Sequence, residues 1–302
     1  MPQRVRCNNW LCRFAKMEKE IFMILRKSFV TLFVFILCAF AGYAQTSSST
    51  PVRETGFLKR SLTLGSSTMN FRVYIPPGYD PAKKYPVILY LHGSGETGTD
   101  NEKQIGGPQL GSVIQLFGAK YPERYRSFIA VFPQTQNYWI GDAAEQAMKA
   151  LDQTVTEFNG DSQRIYLTGF SLGGYGSWYL AAKYPKKFAA VVPIAGGVVP
   201  PSNVPLGALK SFMPAEMFAL YSSPDPYAAF AKAVGKTPVW IFHGGQDENV
   251  DVKESRKMEA ALKAAGGTVK YTEYAEEKHF ILDRAYTDAE FLKWLMLQKL
   301  AR

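Results

Sequence analysis

The chain has 302 residues and a formal net charge of +9, but residues 1–44 carry much of that charge. The remaining 258 residues hold 28 basic and 24 acidic side chains, a net charge of about +4, which is too mild to indicate binding to nucleic acid or to a membrane surface. All three cysteines, Cys7, Cys12 and Cys38, lie within residues 1–44, so neither disulfides nor thiol chemistry is expected beyond them. A length of 258 residues is typical of one α/β domain.

The N-terminal segment has the pattern of a secretory signal peptide. Basic Arg26 and Lys27 precede an apolar run, residues 29–40, and small residues follow up to Ala44. The run is shorter than the ~20 residues that a membrane-spanning helix needs, so a cleaved leader is expected instead of a retained anchor. We therefore expect cleavage after Ala44, a periplasmic or extracellular location, and no stable membrane insertion afterwards.

Two points about this region follow from the same pattern. The residues before Met23 do not resemble the front of a signal peptide, so translation starts at either Met1 or Met23. Residues 45–56 are polar and are interpreted as a linker between the signal peptide, residues 1–44, and one folded domain, residues 57–302.

From residue 57 onwards, strand and helix patterns alternate, which predicts an α/β fold with a mostly parallel central sheet and helices on both faces. The first two strands alternate like half-buried strands, and residues 87–91 form a continuous apolar run typical of a central strand. The predicted strands are residues 57–64, 69–75, 87–91, 128–132, 164–167, 189–195, 239–242 and 269–274, and the predicted helices are residues 143–158, 174–183, 252–265 and 288–300.

The most informative stretch is residues 169–173, which read Gly-x-Ser-x-Gly around Ser171. A short apolar strand precedes it and a helical pattern follows, so the strand must turn directly into a helix. Glycines on both sides allow this turn without a Cβ clash, and the serine is then exposed beside the N–H groups that open the helix. An incidental serine in a glycine-rich turn is the alternative, but the strand and helix favour a nucleophile.

A nucleophilic serine needs a base, and the chain has three histidines. His92 and His243 each end a predicted central strand and precede a glycine, where packing and hydrogen bonding are expected. His279 lies in a polar loop after the last predicted strand, and no other histidine stands in the right order. His279 is therefore the predicted base.

The carboxylate that orients this base is predicted to be Asp247, which follows two glycines after a buried strand. Glu248 and Asp251 are close enough to compete, but the return to apolar sequence directly afterwards favours Asp247. The order serine, aspartate, histidine along the chain is the α/β-hydrolase order and differs from the chymotrypsin and subtilisin orders.

Two backbone N–H groups are predicted to bind the oxyanion, that of Leu172 and that of Ser94, with Gly95 as the alternative to Ser94. The loop that contains Ser94 follows a strand expected beside the nucleophile strand. Phe170 and Trp139 are the candidate substrate-binding residues, although Trp139 is equally well interpreted as an ordinary packing residue.

Four motifs together resemble those of the secreted α/β-hydrolase esterases: residues 91–96, the turn at residues 169–174, residues 243–247 and residues 278–279. The nearest groups are the phospholipase/carboxylesterase-like esterases and the feruloyl-esterase or polyhydroxyalkanoate-depolymerase-like esterases, which are related to the catalytic domain of prolyl oligopeptidases. The resemblance covers roughly residue 71 to the C-terminus. It implies an α/β-hydrolase fold, a catalytic domain at residues 57–302, and a serine esterase with neither cofactor nor metal.

The substrate is predicted less sharply than the reaction. Residues 196–236 alone separate two core strands, so no large cap is expected, and an open pocket suits small-molecule esters or acyl and feruloyl esters on polysaccharides. Alternatives are a prolyl-oligopeptidase-like peptidase, an acyltransferase and, in another class, a catalytically inactive binding protein of the same fold. The sequence does not indicate the oligomeric state. The residues available for a small lid are Phe212, Met213, Met217, Phe218 and Tyr221.

Overall fold

The computed structural model describes residues 54–65, 67–106, 128–201 and 204–300. The predicted signal peptide and most of the predicted linker lie outside these ranges. None of the helices within the described ranges has the length and apolar character needed to cross a membrane.

Eight strands of the described residues form one sheet in the order β1-β2-β4-β3-β5-β6-β7-β8. The pairs β1–β2 and β2–β4 are antiparallel, whereas every pair from β4 to β8 is parallel. The sheet is therefore mostly parallel, as predicted. The strands are β1 (Gly56–Leu64), β2 (Ser67–Ile75), β3 (Tyr85–Leu91), β4 (Ile129–Pro133), β5 (Gly160–Phe170), β6 (Ala190–Ile194), β7 (Val239–Gly244) and β8 (Val269–Tyr274).

Helices cover both faces of this sheet. Apolar side chains of α2, α3, α6 and α7 pack against one face, and those of α1, α8 and α9 pack against the other. This arrangement confirms the predicted α/β-hydrolase architecture. The helices of the described residues are α1 (Lys103–Gly106), α2 (Gly141–Glu157), α3 (Leu172–Lys183), α4 (Leu206–Leu209), α5 (Ala215–Tyr221), α6 (Pro226–Val234), α7 (Lys253–Ala264), α8 (Leu282–Thr287) and α9 (Phe291–Leu297).

The central strands are apolar throughout because both of their faces are buried. In β3, Val87 and Leu89 belong to the core under one face, and Ile88 and Tyr90 belong to the core under the other. A strand covered on both sides has no solvent-facing positions, so alternation disappears from its sequence. This explains the continuous apolar run that predicted β3.

The prediction of two half-buried strands at the start of the domain is wrong for β2. β1 is the edge strand and alternates, but β2 is buried continuously from Phe71 to its end at Ile75. The reason is that both of its faces are covered: Phe71, Val73 and Ile75 belong to the core under one face, and Tyr74 belongs to the core under the other.

The predicted closing helix, residues 288–300, is too long, because only α9, residues 291–297, lies within it. Its predicted first residue, Asp288, lies between α8 and α9 with ψ of 130°, outside the helical range. Its Oδ1 accepts a hydrogen bond of 2.9 Å from the Glu290 N–H. Aspartate side chains that bind nearby backbone N–H groups in this way compete with the helix.

Candidate active site

Ser171 alone forms the turn between β5 and α3, since β5 ends at Phe170 and α3 begins at Leu172. Its φ of 55° and ψ of −114° lie in a region that non-glycine residues rarely adopt. The Ser171 N–H donates a 2.9 Å hydrogen bond to the Ile194 carbonyl at the end of β6. The strained backbone is therefore fixed to the sheet and holds the side chain at the tip of the turn.

Close backbone packing explains the glycines on both sides of Ser171. A Cβ atom on Gly169 would overlap the Gly173 carbonyl, and one on Gly173 would overlap the Leu91 carbonyl at the end of β3. Any side chain at either position would push α3 away from the strand ends. The glycines thus bring the start of α3 directly beside β3 and β5.

The structure brings the three predicted triad residues into one hydrogen-bonded chain. His279 Nε2 lies 2.9 Å from Ser171 Oγ, and His279 Nδ1 lies 2.7 Å from Asp247 Oδ2. The Phe170 ring lies against the imidazole, with 4.9 Å between the ring centroids. His279 is almost completely buried, so its orientation is set by these contacts.

Asp247 receives hydrogen bonds on both of its carboxylate oxygens. Its Oδ1 accepts the N–H groups of Asn249 and Val250 at 2.8 and 2.9 Å, and its Oδ2 faces His279 and His243. Burial opposes ionisation of this carboxyl, but the hydrogen bonds from His243, His279 and Val250 outweigh it and hold the pKa of Asp247 well below its usual range. Asp247 is therefore ionised at neutral pH.

The two competing carboxylates point elsewhere. Glu248 forms an exposed ion pair with Lys278, 3.1 Å long, and the Asp251 Oδ1 accepts the Lys253 N–H at 2.9 Å. Asp247 is therefore the carboxylate that contacts His279.

His92 holds the loop that follows β3, in the packed position expected for it. Its Nδ1 donates to the Gly93 carbonyl at 2.7 Å, and its Nε2 accepts the Thr135 N–H at 3.1 Å. Burial lowers the pKa of His92 to about 4, against the opposing hydrogen bond to Gly93. The ring is therefore neutral at neutral pH, with its proton on Nδ1.

His243 is also completely buried, but its contacts go further than packing. Its Nε2 lies 3.2 Å from Asp247 Oδ2 and 3.0 Å from the Val250 carbonyl, while its Nδ1 lies 2.6 Å from Ser255 Oγ. The contact with Asp247 was not predicted from the sequence. The spacing was a usable signal, because His243 lies near the end of a strand and Asp247 follows four residues later in the turn.

The predicted oxyanion donors lie around the same cavity as Ser171. Ser94 opens a short 3₁₀ turn, Ser94–Glu96, after β3, and Leu172 is the first residue of α3, where helix N–H groups have no partner within the helix. Ser94, Gly95 and Leu172 all line the cavity together with Ser171.

This site cavity has a volume of about 530 Å³. Trp139 and Phe170 lie in its wall, but Trp139 is only 1% exposed and its Nε1 donates to the His92 carbonyl at 3.0 Å, so it also supports the loop after β3. Tyr138 and Phe280, 45% and 58% exposed, lie at the mouth. The apolar side of the cavity is lined by Ile140, Val198, Pro200, Pro201, Val204, Leu209 and Tyr221.

Of the five residues proposed for a small lid, only Tyr221 lines the cavity among the described residues. Phe212 is 64% exposed, whereas Met213 and Met217 are buried in the core. The sequence shows that these residues are apolar or aromatic, but it does not show which residues they pack against.

The sequence also missed the group that fixes the wall of the cavity. Glu254, on α7, accepts the N–H groups of Val198 and Val199 at 3.0 and 3.1 Å, and its other oxygen accepts the Tyr227 hydroxyl at 2.5 Å. No sequence pattern marks this carboxylate, because its partners lie more than 25 residues away.

Glu96 is a buried acid in the cavity wall. The residue is 2% exposed, and its Oε2 has no hydrogen-bond partner among the described residues. Burial raises the pKa of Glu96, although the backbone N–H groups of Gly93 and of Glu96 itself oppose this. No group of three or more His, Cys, Asp or Glu side chains in the described part of the chain is placed to hold a metal ion.

The raised pKa of Glu96 predicts a pH-dependent stability. The folded state holds the proton more tightly than the unfolded state, so this stabilisation is complete below the ordinary glutamate pKa and is lost as the pH rises through the folded value. Glu96→Gln cannot ionise, so its thermal midpoint should rise relative to wild type between about pH 4 and about pH 7. Thermal unfolding across this range measures it, with Glu248→Gln as an exposed control. Parallel curves for wild type and Glu96→Gln would contradict the prediction.

Comparisons with known proteins show similarity to several esterases. Acetylxylan esterase A of Emericella nidulans is 26% identical over 220 residues, 64% of this chain and 66% of that protein. Feruloyl esterase B of Neurospora crassa is 26% identical over 215 residues, 64% of this chain and 69% of that protein. An "Uncharacterized secreted protein" of Arthroderma benhamiae is 25% identical over 246 residues, 76% of this chain. The chain spans only 25% of the length of that last relative.

A solved structure described as a thermostable esterase is 27% identical with a TM-score of 0.63, over 80% of this chain and 63% of that chain. Residues 63–287, three quarters of the sequence, match the protein family described as "Putative esterase". The chain therefore belongs to this esterase family and has the α/β-hydrolase fold, which confirms the resemblance that its four motifs indicated.

Proposed function

We propose that this protein is a serine hydrolase that cleaves carboxylic esters through an acyl-serine intermediate. The observation that carries this proposal is the chain of hydrogen bonds from Ser171 Oγ through His279 to Asp247, at the edge of a cavity large enough for a substrate. Membership of an esterase family supports the same reaction.

In the first half of the reaction, Ser171 Oγ attacks the carbonyl carbon of the ester while His279 Nε2 takes the hydroxyl proton. The carbonyl oxygen becomes an oxyanion and is held by the N–H groups of Leu172 and of Ser94 or Gly95. The bond to the alcohol then breaks, His279 gives its proton to the departing alkoxide, and the acyl group stays on Ser171.

In the second half, water replaces the alcohol. His279 takes a proton from the water as its oxygen attacks the acyl carbon, and then returns a proton to Ser171 Oγ as the carboxylic acid leaves. His279 is positively charged in both transition states, so the ionised Asp247 stabilises it and fixes the orientation of its ring.

A peptidase or an acyltransferase would use the same catalytic residues and would differ in the substrate or acceptor that enters the cavity. A peptidase would cleave an amide, and an acyltransferase would replace water with a second alcohol. The complete hydrogen-bonded chain argues against a catalytically inactive binding protein, since binding alone does not require three residues in catalytic register.

Substitutions at the proposed triad should abolish ester hydrolysis without unfolding the protein. Ser171→Ala and Asp247→Asn should lower kcat on p-nitrophenyl acetate by about a thousandfold or more. Ser94→Ala keeps the backbone N–H, and Asp251→Asn removes an acid that does not contact His279, so both should stay near wild type. Steady-state kinetics on the four variants test this, with circular dichroism to check folding. Substantial turnover by Ser171→Ala would exclude the mechanism.

The substrate that we propose is an ester with a bulky apolar or aryl acyl group, carried on a small alcohol or on a polysaccharide. A cavity of about 530 Å³ falls within the 300–1,000 Å³ typical of sites for drug-sized ligands, and an acetyl group would leave most of it empty. Apolar residues line one side, and exposed Tyr138 and Phe280 offer aromatic surface at the mouth for the alcohol part.

Filling the cavity should change the preference between acyl groups. Leu209→Trp places a large side chain in the apolar side, so kcat/KM for feruloyl esters should fall by about tenfold or more, relative to acetyl esters. Phe212→Trp, three residues away and outside the cavity lining, is the matched control and should keep the wild-type ratio. A panel of feruloyl, acetyl and octanoyl esters and a proline-containing peptide measures these ratios. An unchanged ratio in Leu209→Trp would place the acyl group elsewhere, and a peptide as best substrate would favour a peptidase.

We further propose that the protein acts outside the cytoplasm, after removal of residues 1–44. The leader pattern around Arg26 and Ala44 and the similarity to a relative described as secreted support this. N-terminal sequencing of protein recovered from the periplasm or the medium should find Gln45 at or near the start. A chain that keeps residues 29–40 would contradict it.

A further inference from the structure

The site contains a second buried histidine that the proposed reaction does not use. His243 is the fifth residue of β7 and is completely buried. Its Nε2 lies 3.2 Å from Asp247 Oδ2, the same carboxylate oxygen that contacts His279 Nδ1. Two histidines therefore share one oxygen of one carboxylate.

The contacts of His243 define which of its nitrogens carries the proton toward Asp247. Its Nε2 faces two groups that only accept hydrogen bonds, Asp247 Oδ2 and the Val250 carbonyl, so Nε2 must donate. Its Nδ1 faces Ser255 Oγ at 2.6 Å, and a hydroxyl either donates or accepts. Ser255, at the start of α7, thus fixes the ring so that its Nε2–H lies between the Val250 carbonyl, at 3.0 Å, and Asp247 Oδ2, at 3.2 Å.

With His243 in place, each oxygen of the Asp247 carboxylate has two nitrogen neighbours. Oδ1 takes the N–H groups of Asn249 and Val250, and Oδ2 takes the two histidines. Because the Asp247 side chain is fully buried, no solvent replaces a donor that is removed. An ionised carboxylate that loses a buried hydrogen bond turns toward another partner or gains a proton.

We infer that His243 is a positioning residue, which holds Asp247 in the rotamer and the ionised state that His279 requires. This inference rests on the proposed serine-hydrolase mechanism and assigns to His243 no contact with substrate. His243 acts only through Asp247, so it should affect the chemical step and leave substrate binding unchanged.

Charged groups on the neighbouring elements bear on any pH effect. Glu273, on β8, stands beside His243 in the sheet register and is itself paired with Arg256 of α7. Tyr175, on α3, and His279 face Asp247 from the other side. None of these groups is removed by a substitution at His243, so a change in the pH profile reports on the shared carboxylate.

The test compares His243→Leu, His243→Gln and Ser255→Ala on a p-nitrophenyl ester. His243→Leu should lower kcat by about 30-fold, which equals about 2 kcal/mol at 1.36 kcal/mol per factor of ten, and should leave KM within about twofold. The acidic midpoint of its kcat/KM profile should move to lower pH, because an Asp247 that gains a proton or turns away stabilises the positively charged His279 less.

His243→Gln restores an N–H donor near Oδ2 and should recover kcat to within about fivefold of wild type. Ser255→Ala keeps the ring but releases Nδ1, so it should lower kcat by less than His243→Leu does. Val239→Ala is the matched control, since it truncates a buried residue at the other end of the same strand. It should lower the thermal midpoint without moving kcat or the pH midpoint.

The inference is overturned if His243→Leu folds and keeps both the wild-type kcat and the wild-type pH midpoint, or if Val239→Ala reproduces the same loss. Should His243→Leu fail to fold, Ser255→Ala decides in its place, and a wild-type pH midpoint with unchanged kcat in Ser255→Ala overturns the inference. A wild-type protein without esterase activity would instead refute the proposed function, which the same assay shows separately.

Discussion

The first turn of α3 lies in backbone contact with the ends of three strands, and the geometry of the site depends on this contact. Gly173 meets the Leu91 carbonyl of β3, and Gly174 meets Gly196 and the Ile194 carbonyl after β6, at distances that leave no room for a Cβ atom. The chain can make this approach only through an abrupt turn, and the positive φ of Ser171 supplies it. Close packing of the helix on the sheet offsets the backbone strain at Ser171.

The parallel sheet explains why distant segments meet at this turn. The loops after β3, β5, β7 and β8 all leave the carboxyl edge of the sheet, where open α/β sheets bind their ligands. They bring Ser94, Ser171, Asp247 and His279 to one place although 185 residues separate the first from the last. A buried histidine holds two of these loops: His92 contacts the loop after β3, and His243 contacts the loop that carries Asp247. The rigid sheet and these buried contacts leave the reacting side chains little freedom.

Residue types tied to a backbone requirement could be predicted from the sequence. The strand-to-helix turn at Ser171 was predicted from the glycines that it needs, and the position of His279 near Ser171 was predicted because the other two histidines end predicted central strands. The apolar run of β3 predicted a strand covered on both faces. The glycine pattern reflects the requirement of a tight turn, and the apolar run reflects a strand buried on both faces.

What the sequence could not predict depends on contacts between distant segments. Nothing local distinguishes a half-buried β2 from the buried strand observed, because its second face is covered by distant residues, with Tyr74 in the same core cluster as Ile105 and Phe132. The bracing of the cavity wall by Glu254 and the contact of His243 with Asp247 both join residues of opposite loops or elements, so only the folded structure reveals them.

Covalent labelling tests directly whether Ser171 is the nucleophile, as proposed. The folded mature protein is treated with a fluorophosphonate, its intact mass is measured, and the modified peptide is sequenced by mass spectrometry. We expect one adduct per chain, on Ser171. It should form more slowly when an ester substrate is present, and it should not form in Ser171→Ala. A folded wild-type protein that stays unlabelled, or an adduct on another residue such as Ser94, would contradict it.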